Sequence, residues 1–445
     1  MGKFFVAFQN SGWNFLLMIL LLGTHIYFTV KLKFIQKRIP EGIKLSFTKE
    51  KGGQGGISPY ASLATALAAT IGTGNIIGIS AAIAVGGPGA VFWCWITGVF
   101  GIATCYAECF LAVRYRVKKE NGTYAGGPMY VLERVLHKRK TALFFALFAV
   151  AASFGIGSSV QSHAISAAVT EKIPLSPHII GIMIAMLAGS IVIGGGKKIA
   201  KVCTFLVPVM SFLYLGGCFF LIVKNRAVVP KAFVVIVQSA FTSKSVIGGL
   251  TGTAVMTGIR VGISKGLFTN EAGMGSIAMS AADAKTTSPV KQGIISMTGV
   301  FWDTVVMCAV TGITIVSSML KNPAGYRNIE SDRLCFQAFS FMPAGEWILI
   351  VSLVLFAFAT IIGWSYYGEC AAGYLFGEKG IGIYQILFIV TIYLGAVMSL
   401  ETVWGMADIF NSLMAVPNIL CLLLLRRVII RETTADKKEN SIGKS

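Results

Sequence analysis

Apolar residues arrive in long blocks rather than in strand-like alternation. Windows of about 20 apolar residues, long enough to cross a bilayer as a helix, fall near 13–30, 57–86, 88–113, 143–169, 178–194, 202–223, 246–282, 293–319, 346–375, 381–399 and 402–425. The pattern predicts an all-α polytopic membrane protein with eleven transmembrane helices. Two blocks are interrupted. Gly72-Thr73-Gly74-Asn75 sits in the middle of the second, and the block from 246 carries Gly258, Gly262, Gly266, Gly273 and Gly275 among Arg260, Lys265, Thr269, Asn270 and Glu271. Glycine weakens a helix interior. Hydrocarbon supplies no water to freed backbone groups, so a break there is tolerable only where it lines a protein-enclosed cavity.

Basic residues set an orientation. With the 31–51 loop in the cytoplasm and the spans alternating from there, about 27 Lys and Arg fall inside and about 9 outside, as the positive-inside rule requires. This places the N-terminus outside and the C-terminus in the cytoplasm of a cell membrane. Without the first helix, ten spans divide into two sets of five with opposite starting sides, each opening on a glycine-interrupted helix. That is the inverted-repeat plan of secondary transporters, with broken first and sixth core helices and one extra N-terminal helix. The divisions follow: 1–56, extra helix and basic linker; 57–223, first repeat; 224–245, an extracellular connection; 246–425, second repeat; 426–445, a basic cytoplasmic tail.

Composition narrows the class. The chain has 445 residues, 55% hydrophobic and 13% charged, and its mean hydropathy of +0.74 lies outside the soluble range. The formal charge of +19 is spread over short loops between spans, which suits anionic membrane lipids and not nucleic acid. The nine cysteines form no CxxC pair, and His25, His137, His163 and His178 are scattered, so neither metal nor acid–base chemistry has support and an enzyme is not expected. Glu108, Asp303, Glu369 and Asp408 read as structural hydrogen-bonding groups or helix-end charges, with a proton relay as the alternative.

A helix that stops at mid-membrane exposes amide N–H groups on one half and carbonyl oxygens on the other. The first suit a carboxylate and the second a hard cation, so a zwitterionic amino acid and a sodium ion fit one pair of breaks.

The strings Ala68-Ala-Thr-Ile-Gly-Thr-Gly-Asn-Ile76, Gly86-Gly-Pro-Gly89, Tyr106-Ala-Glu108, Gly126-Gly-Pro-Met-Tyr130, Gly266-Leu-Phe-Thr-Asn-Glu-Ala-Gly-Met-Gly-Ser276 and Gly363-Trp-Ser-Tyr-Tyr-Gly-Glu369 resemble the alanine or glycine:cation symporter family over nearly the whole chain. The resemblance implies a leucine-transporter-type core and sodium-driven uptake of small neutral amino acids. It implies substrate contacts from Thr70, Gly72, Thr73, Gly74 and Asn75 at the first break, with main-chain amides near Thr73 and Gly74 facing the carboxylate. Free carbonyls at a second break centred on Phe268, Thr269 and Asn270 would face the ammonium. Gln161 and Trp364 would line the pocket, Trp364 as an apolar wall. Sodium, the co-transported ion, would sit against the carbonyls of Ala68 and Ile71 and the hydroxyl of Thr360; Ile361 supplies no second hydroxyl. By its position after the break, and apart from the resemblance, Glu271 is expected either to cap the inner half-helix or to pair with Lys265 or Arg260 as part of a gate. Two alternatives stay open: a proton-coupled amino-acid transporter, and a non-cycling amino-acid-binding channel or sensor.

Overall fold

The computed structural model describes residues 13–48, 52–120, 122–242, 255–327 and 329–442; the expected span from 246 therefore lies outside the described residues up to 254. In chain order the helices are α1 (Trp13–Lys31), α2 (Ile39–Ser46), α3 (Pro59–Thr70), α4 (Ile77–Gly86), α5 (Gly89–Arg114), α6 (Pro128–Arg134), α7 (Arg139–Ala152), α8 (Val160–Thr170), α9 (Pro177–Val192) and α10 (Gly195–Lys224). They continue as α11 (Val229–Ser239), α12 (Val255–Asn270), α13 (Ser276–Ala282), α14 (Pro289–Val300), α15 (Ala309–Lys321), α16 (Leu334–Ser340), α17 (Gly345–Val397), α18 (Leu400–Leu424) and α19 (Arg426–Ile442). One two-stranded ribbon, β1 (Val117–Lys118) with β2 (Tyr124–Ala125), pairs antiparallel with Val117 opposite Ala125.

The protein is a multi-pass, mostly helical membrane protein. Among the described residues five helical runs are long and apolar enough to cross a bilayer singly, and three more do so as bent pairs. Two of the five are continuous through π-helical turns, Ser153–Ser159 between α7 and α8 and Phe301–Cys308 between α14 and α15. A π-turn inserts one extra residue per turn and re-aims the side chains beyond it. In α17 the helix is interrupted at Gly377, with φ 71° and ψ −173°, so two helices meet there.

The long glycine-bearing block resolves differently from the expectation. Gly258, Gly262 and Gly266 do not break α12; they recur every fourth residue and form the face on which α12 lies against the end of α4 at Gly86 and against α5. A Cβ on Gly262 would run into the Ala90 carbonyl, and one on Gly266 into Thr97 Oγ1. Small residues at this spacing let two helix backbones approach closely. The connection expected at 224–245 also contains a helix, α11, which packs across α5 and α15 with Phe233 stacked on Trp95 at 6.0 Å.

Two sets of contacts tie one end of the bundle. The entry to α3 meets the segment after α13: Gln54 bridges Thr286 and Ile57 bridges Ala284. Asp283 Oδ1 accepts the N–H groups of Gly56 at 3.0 Å and Tyr124 at 2.9 Å. The Arg116 guanidinium donates to the carbonyls of Gln54, Ala282, Ala284 and Thr286. The tail is no loose strand of basic residues, for α19 turns back under the bundle: Tyr106 shares a hydrogen bond with Thr433 at 2.7 Å, and Arg38 pairs with Asp436 at 2.9 Å.

Candidate functional site

The first break is set by one side chain. Helix α3 ends at Thr70, Ile71 turns extended (φ −74°, ψ 92°) and Thr73–Asn75 form a short 3-10 turn before α4; the two halves bend by 60°. The Gly72 N–H donates to Asn75 Oδ1 at 3.0 Å instead of continuing the helical ladder to the Ala68 carbonyl. Asn75 is wholly buried, and its Nδ2 donates to the backbone oxygen of Asp303 at 3.1 Å and to Asp303 Oδ1 at 2.8 Å. This corrects the expectation for Asn75. Its oxygen is spent on Gly72 and its amide on Asp303, so it shapes the break without facing the cavity. The N–H groups of Thr73 and Gly74 have no acceptor among the described residues.

The second break lies three residues beyond the expected position. Phe268, Thr269 and Asn270 complete α12, and the chain leaves helical geometry at Glu271 (φ 52°), Gly273 (φ 86°) and Gly275 (φ 84°) before α13 begins. Those left-handed positions suit glycine and strain Glu271. Asn270 is fully buried, with its Oδ1 accepting the Ala272 N–H at 2.9 Å, so its side chain also serves the loop and not the cavity. Glu271 Oε2 accepts from the Ser276 hydroxyl at 2.6 Å and its Oε1 accepts from Trp364 Nε1 at 3.0 Å. Glu271 thus ties the loop to the Ser276 side chain and to α17, while α13 has Gly275 at its N-cap and no side-chain cap hydrogen bond.

Between the breaks lies a cavity of about 70 Å³, lined by Thr70, Gly72, Thr73 and Gly74 on one side and Lys265, Phe268, Thr269 and Glu271 on the other, with Gln161, Thr360 and Trp364 closing it. Its walls are in close contact: a Cβ on Gly74 would stand 3.3 Å from Thr269 Oγ1, and one on Gly157 would stand 2.5 Å from Trp364 Cβ. Gln161 Oε1 accepts from Thr73 Oγ1 at 3.3 Å while its Nε2 donates to the Ile156 carbonyl at 3.1 Å. Thr73, Gly78 and Lys265 also line a vestibule of about 610 Å³, whose rim carries the ion pair of Arg333 with Glu171 at 2.7 Å. Cavity and vestibule thus share a wall, with Lys265 at the junction.

Beside the cavity, α17 touches the first break directly. A Cβ on Gly363 would meet Ala69 N at 2.6 Å, so glycine allows the two backbones to meet. Thr360 Oγ1 lies 3.5 Å from the Ile71 carbonyl and 3.0 Å from the Phe356 carbonyl. The oxygens of Ala68, Ile71 and Thr360 are the donor set the sequence suggests for a hard cation. The Ala68 carbonyl is available because Asn75 diverts the Gly72 amide. Neutral oxygens of this kind suit sodium chemically.

Two acids read from sequence as structural turn out to serve the breaks. Asp303, in the π-turn after α14, anchors Asn75. Glu108 of α5 lies behind the second break and accepts the N–H groups of Gly273 and Gly275. The only signal for either was a carboxylate inside an apolar block. Asp408 is not among the residues whose side chains are described.

The model of the sodium:alanine symporter family matches residues 1–445. The chain is 42% identical over 443 residues to the sodium/alanine symporter AgcS of Methanococcus maripaludis, covering 97% of each chain. It is 38% identical over 436 residues to the probable sodium/glutamine symporter GlnT of Bacillus subtilis, covering 96% of this chain and 89% of that one. In fold it is similar to MhsT in complex with L-phenylalanine, with a TM-score of 0.58 at 15% identity over 84% of this chain and 90% of that one. A Na+-coupled sialic acid symporter gives a TM-score of 0.57 at 14% identity, over 90% and 85%. The chain belongs to the sodium:alanine symporter family, a family of transporters and not of enzymes.

Proposed function

We propose that this protein is a sodium-coupled symporter that imports small neutral amino acids of alanine or glycine size across the cell membrane by alternating access. The observation that carries the reading is the cavity between the breaks. On one side it offers the unclaimed amides of Thr73 and Gly74 to a carboxylate, and on the other the last-turn carbonyls of α12, near Phe268 and Thr269, to an ammonium. Thr70, Gly72 and Gln161 complete the polar wall, and Phe268 and Trp364 confine the side chain. The cavity, about 70 Å³, is far below the roughly 300–1,000 Å³ of drug-sized ligand pockets, which favours a small substrate.

Sodium binds at the carbonyls of Ala68 and Ile71 with the Thr360 hydroxyl, against the first break. Its charge favours the adjoining loop conformation that presents the substrate amides, which links ion and substrate binding. The vestibule faces outside, Lys265 stands at its neck as a gate residue, and the ties around Asp283 and Arg116 close the cytoplasmic side. Eleven spans fit this scheme: α1, then the halves beginning at α3 and at α12 as inverted repeats of five spans each, with the N-terminus outside and the C-terminus inside. The repeats cover 57–223 and 246–425.

Purified protein in liposomes tests the reading. An inward sodium gradient should drive alanine or glycine accumulation, and replacing sodium by choline at fixed pH should abolish it. Uptake unchanged in choline would remove sodium as the driver, and no uptake beside an active control would reject the symport reading.

A further inference from the structure

Behind the second break, away from the cavity, two buried polar atoms on the flanking helices have no partner among the described residues, besides Asn270 Nδ2 at the end of α12. Glu108 Oε2 accepts three N–H groups, from Gly273 at 3.2 Å, Gly275 at 3.1 Å and Asn418 Nδ2 at 2.9 Å; Asn418 also donates to the Gly273 carbonyl at 2.8 Å. Glu108 Oε1, equally buried, accepts nothing. The second orphan is Nε2 of His25, on α1. His25 is wholly buried, and its Nδ1 shares a hydrogen bond of 2.8 Å with Thr104 Oγ1, one turn before Glu108 on the same face of α5. A Cβ on Gly273 would stand 3.6 Å from His25 Cε1, the ring atom bonded to both nitrogens. Both orphans therefore flank one glycine of the loop.

Their chemistries are complementary. An ionised carboxylate accepts at both oxygens, and leaving one buried oxygen without a donor is unfavourable. Three donors on one oxygen and none on the other is the pattern of a carboxylic acid whose bare oxygen carries the hydrogen. An imidazole that donates from Nδ1 to Thr104 keeps a lone pair on Nε2. We propose that Glu108 and His25 together hold one proton behind the second break, carried on Glu108 Oε1 and accepted by His25 Nε2 directly or through a single water, and that this proton keeps the 271–275 loop in its working shape. The pair touches neither substrate nor ion; it is a positioning site.

The ionisable groups facing it agree with one retained proton. Glu271, from the loop, lies within electrostatic reach of Glu108, and a second negative charge there would be repelled. From α5 itself come the thiols Cys105 and Cys109, and Tyr367 of α17 stands within reach of both and of Glu271. The contact from α18 is the neutral Asn418, and the contact from α7 is the apolar Phe145.

The sign follows. Raising the pH removes the proton, sets a charged Oε1 against the His25 lone pair and Glu271, and loosens the loop, so uptake falls on the alkaline side. Glu108→Gln imitates the protonated acid, since its amide oxygen keeps the three N–H donors and its NH₂ donates to His25. E108Q should transport within about twofold of the parent and lose the alkaline decline. A folded E108Q that is inactive, or that keeps the parental pH profile, would overturn the proposal. This arm rests on the symport reading; the infrared spectrum of the purified protein does not. A neutral-carboxyl C=O band should be present in the parent, absent in E108Q and shifted in His25→Phe. Where E108Q fails to fold, the parent band and its shift in H25F decide: no such band, or one unmoved by H25F, would sink the shared proton whatever the uptake shows.

Discussion

Asn75→Ala should weaken both sodium binding and the fold, and the size of each effect can be worked from the geometry. Asn75 is fully buried, and its Oδ1 holds the Gly72 N–H at 3.0 Å. Alanine removes that acceptor, and a buried donor left without one costs about 1–3 kcal/mol. The nearest remedy is one more helical bond, from Gly72 N–H to the Ala68 carbonyl. That bond occupies the oxygen proposed for sodium. A neutral hydrogen bond is worth about 0.5–1.5 kcal/mol net, and about 1.4 kcal/mol is tenfold in an equilibrium constant, so the apparent sodium affinity should drop by about twofold to tenfold. The lost donor to Asp303, at 2.8 Å, lowers stability by a further 1–3 kcal/mol or so. Initial alanine uptake against external sodium measures the first effect, and thermal unfolding in detergent with and without sodium measures both. An N75A protein that is less stable yet keeps the parental sodium dependence would refute the claim that the Gly72–Asn75 bond frees the cation site.

Other substitutions probe the remaining walls. Thr360→Ala removes the hydroxyl 3.5 Å from the Ile71 carbonyl and should raise the sodium requirement about tenfold, with Thr360→Ser restoring it; equal sodium curves for T360A and the parent would move the ion elsewhere. Trp364→Phe leaves Glu271 Oε1 without its indole donor and should lower the unfolding free energy by about 1–3 kcal/mol. In competition assays Trp364→Ala should admit larger amino acids, and an unchanged inhibition series would mean that Trp364 does not limit size. Gly266→Ala drives a Cβ toward the Cys94 carbonyl, whereas Gly216→Ala meets nothing within 4 Å; only the first should destabilise, by about 1–3 kcal/mol, as read from thermal unfolding. Burial pushes the Asp283 carboxyl upward, against the pull of the Tyr124 and Gly56 amides, Arg116 and Lys197. A carboxyl raised on folding contributes most below the ordinary aspartate range and loses that contribution as pH climbs through its folded value. Asp283→Asn keeps an acceptor for both amides and should flatten this acid-side slope of the unfolding temperature; the same slope in D283N would assign it to another group.

The membrane-spanning plan and the existence of two breaks could be read from sequence because each rests on local pattern: a run of apolar residues, or glycines inside it. The breaks' inner workings could not, because they rest on partners far along the chain. Gly72 and Gly74 look like Gly258, Gly262 and Gly266 by composition, yet the first pair opens the backbone and the second set packs α12 on α4 and α5. A spacing of four was the available clue, since it repeats along one helix face. The resemblance puts the second break at 268–270, among the polar residues of the block. Thr269 satisfies its hydroxyl within α12 by donating to the Lys265 carbonyl, so polarity alone does not end a helix; the alternating Gly273 and Gly275, with left-handed Glu271 before them, do. Asn75 shows the limit most clearly. An asparagine beside a break can offer its oxygen to a ligand or to the backbone, and which it does depends on whether a second partner holds its amide. That partner, Asp303, is 228 residues away and enters through a π-turn that shifts the register of its helix. Glu108 repeats the logic at the other break, gripping Gly273 and Gly275 from 165 and 167 residues away. In both cases a buried acid stabilises the non-helical backbone, so a carboxylate in an apolar block is a reason to search for the break it supports before assigning it to a proton path.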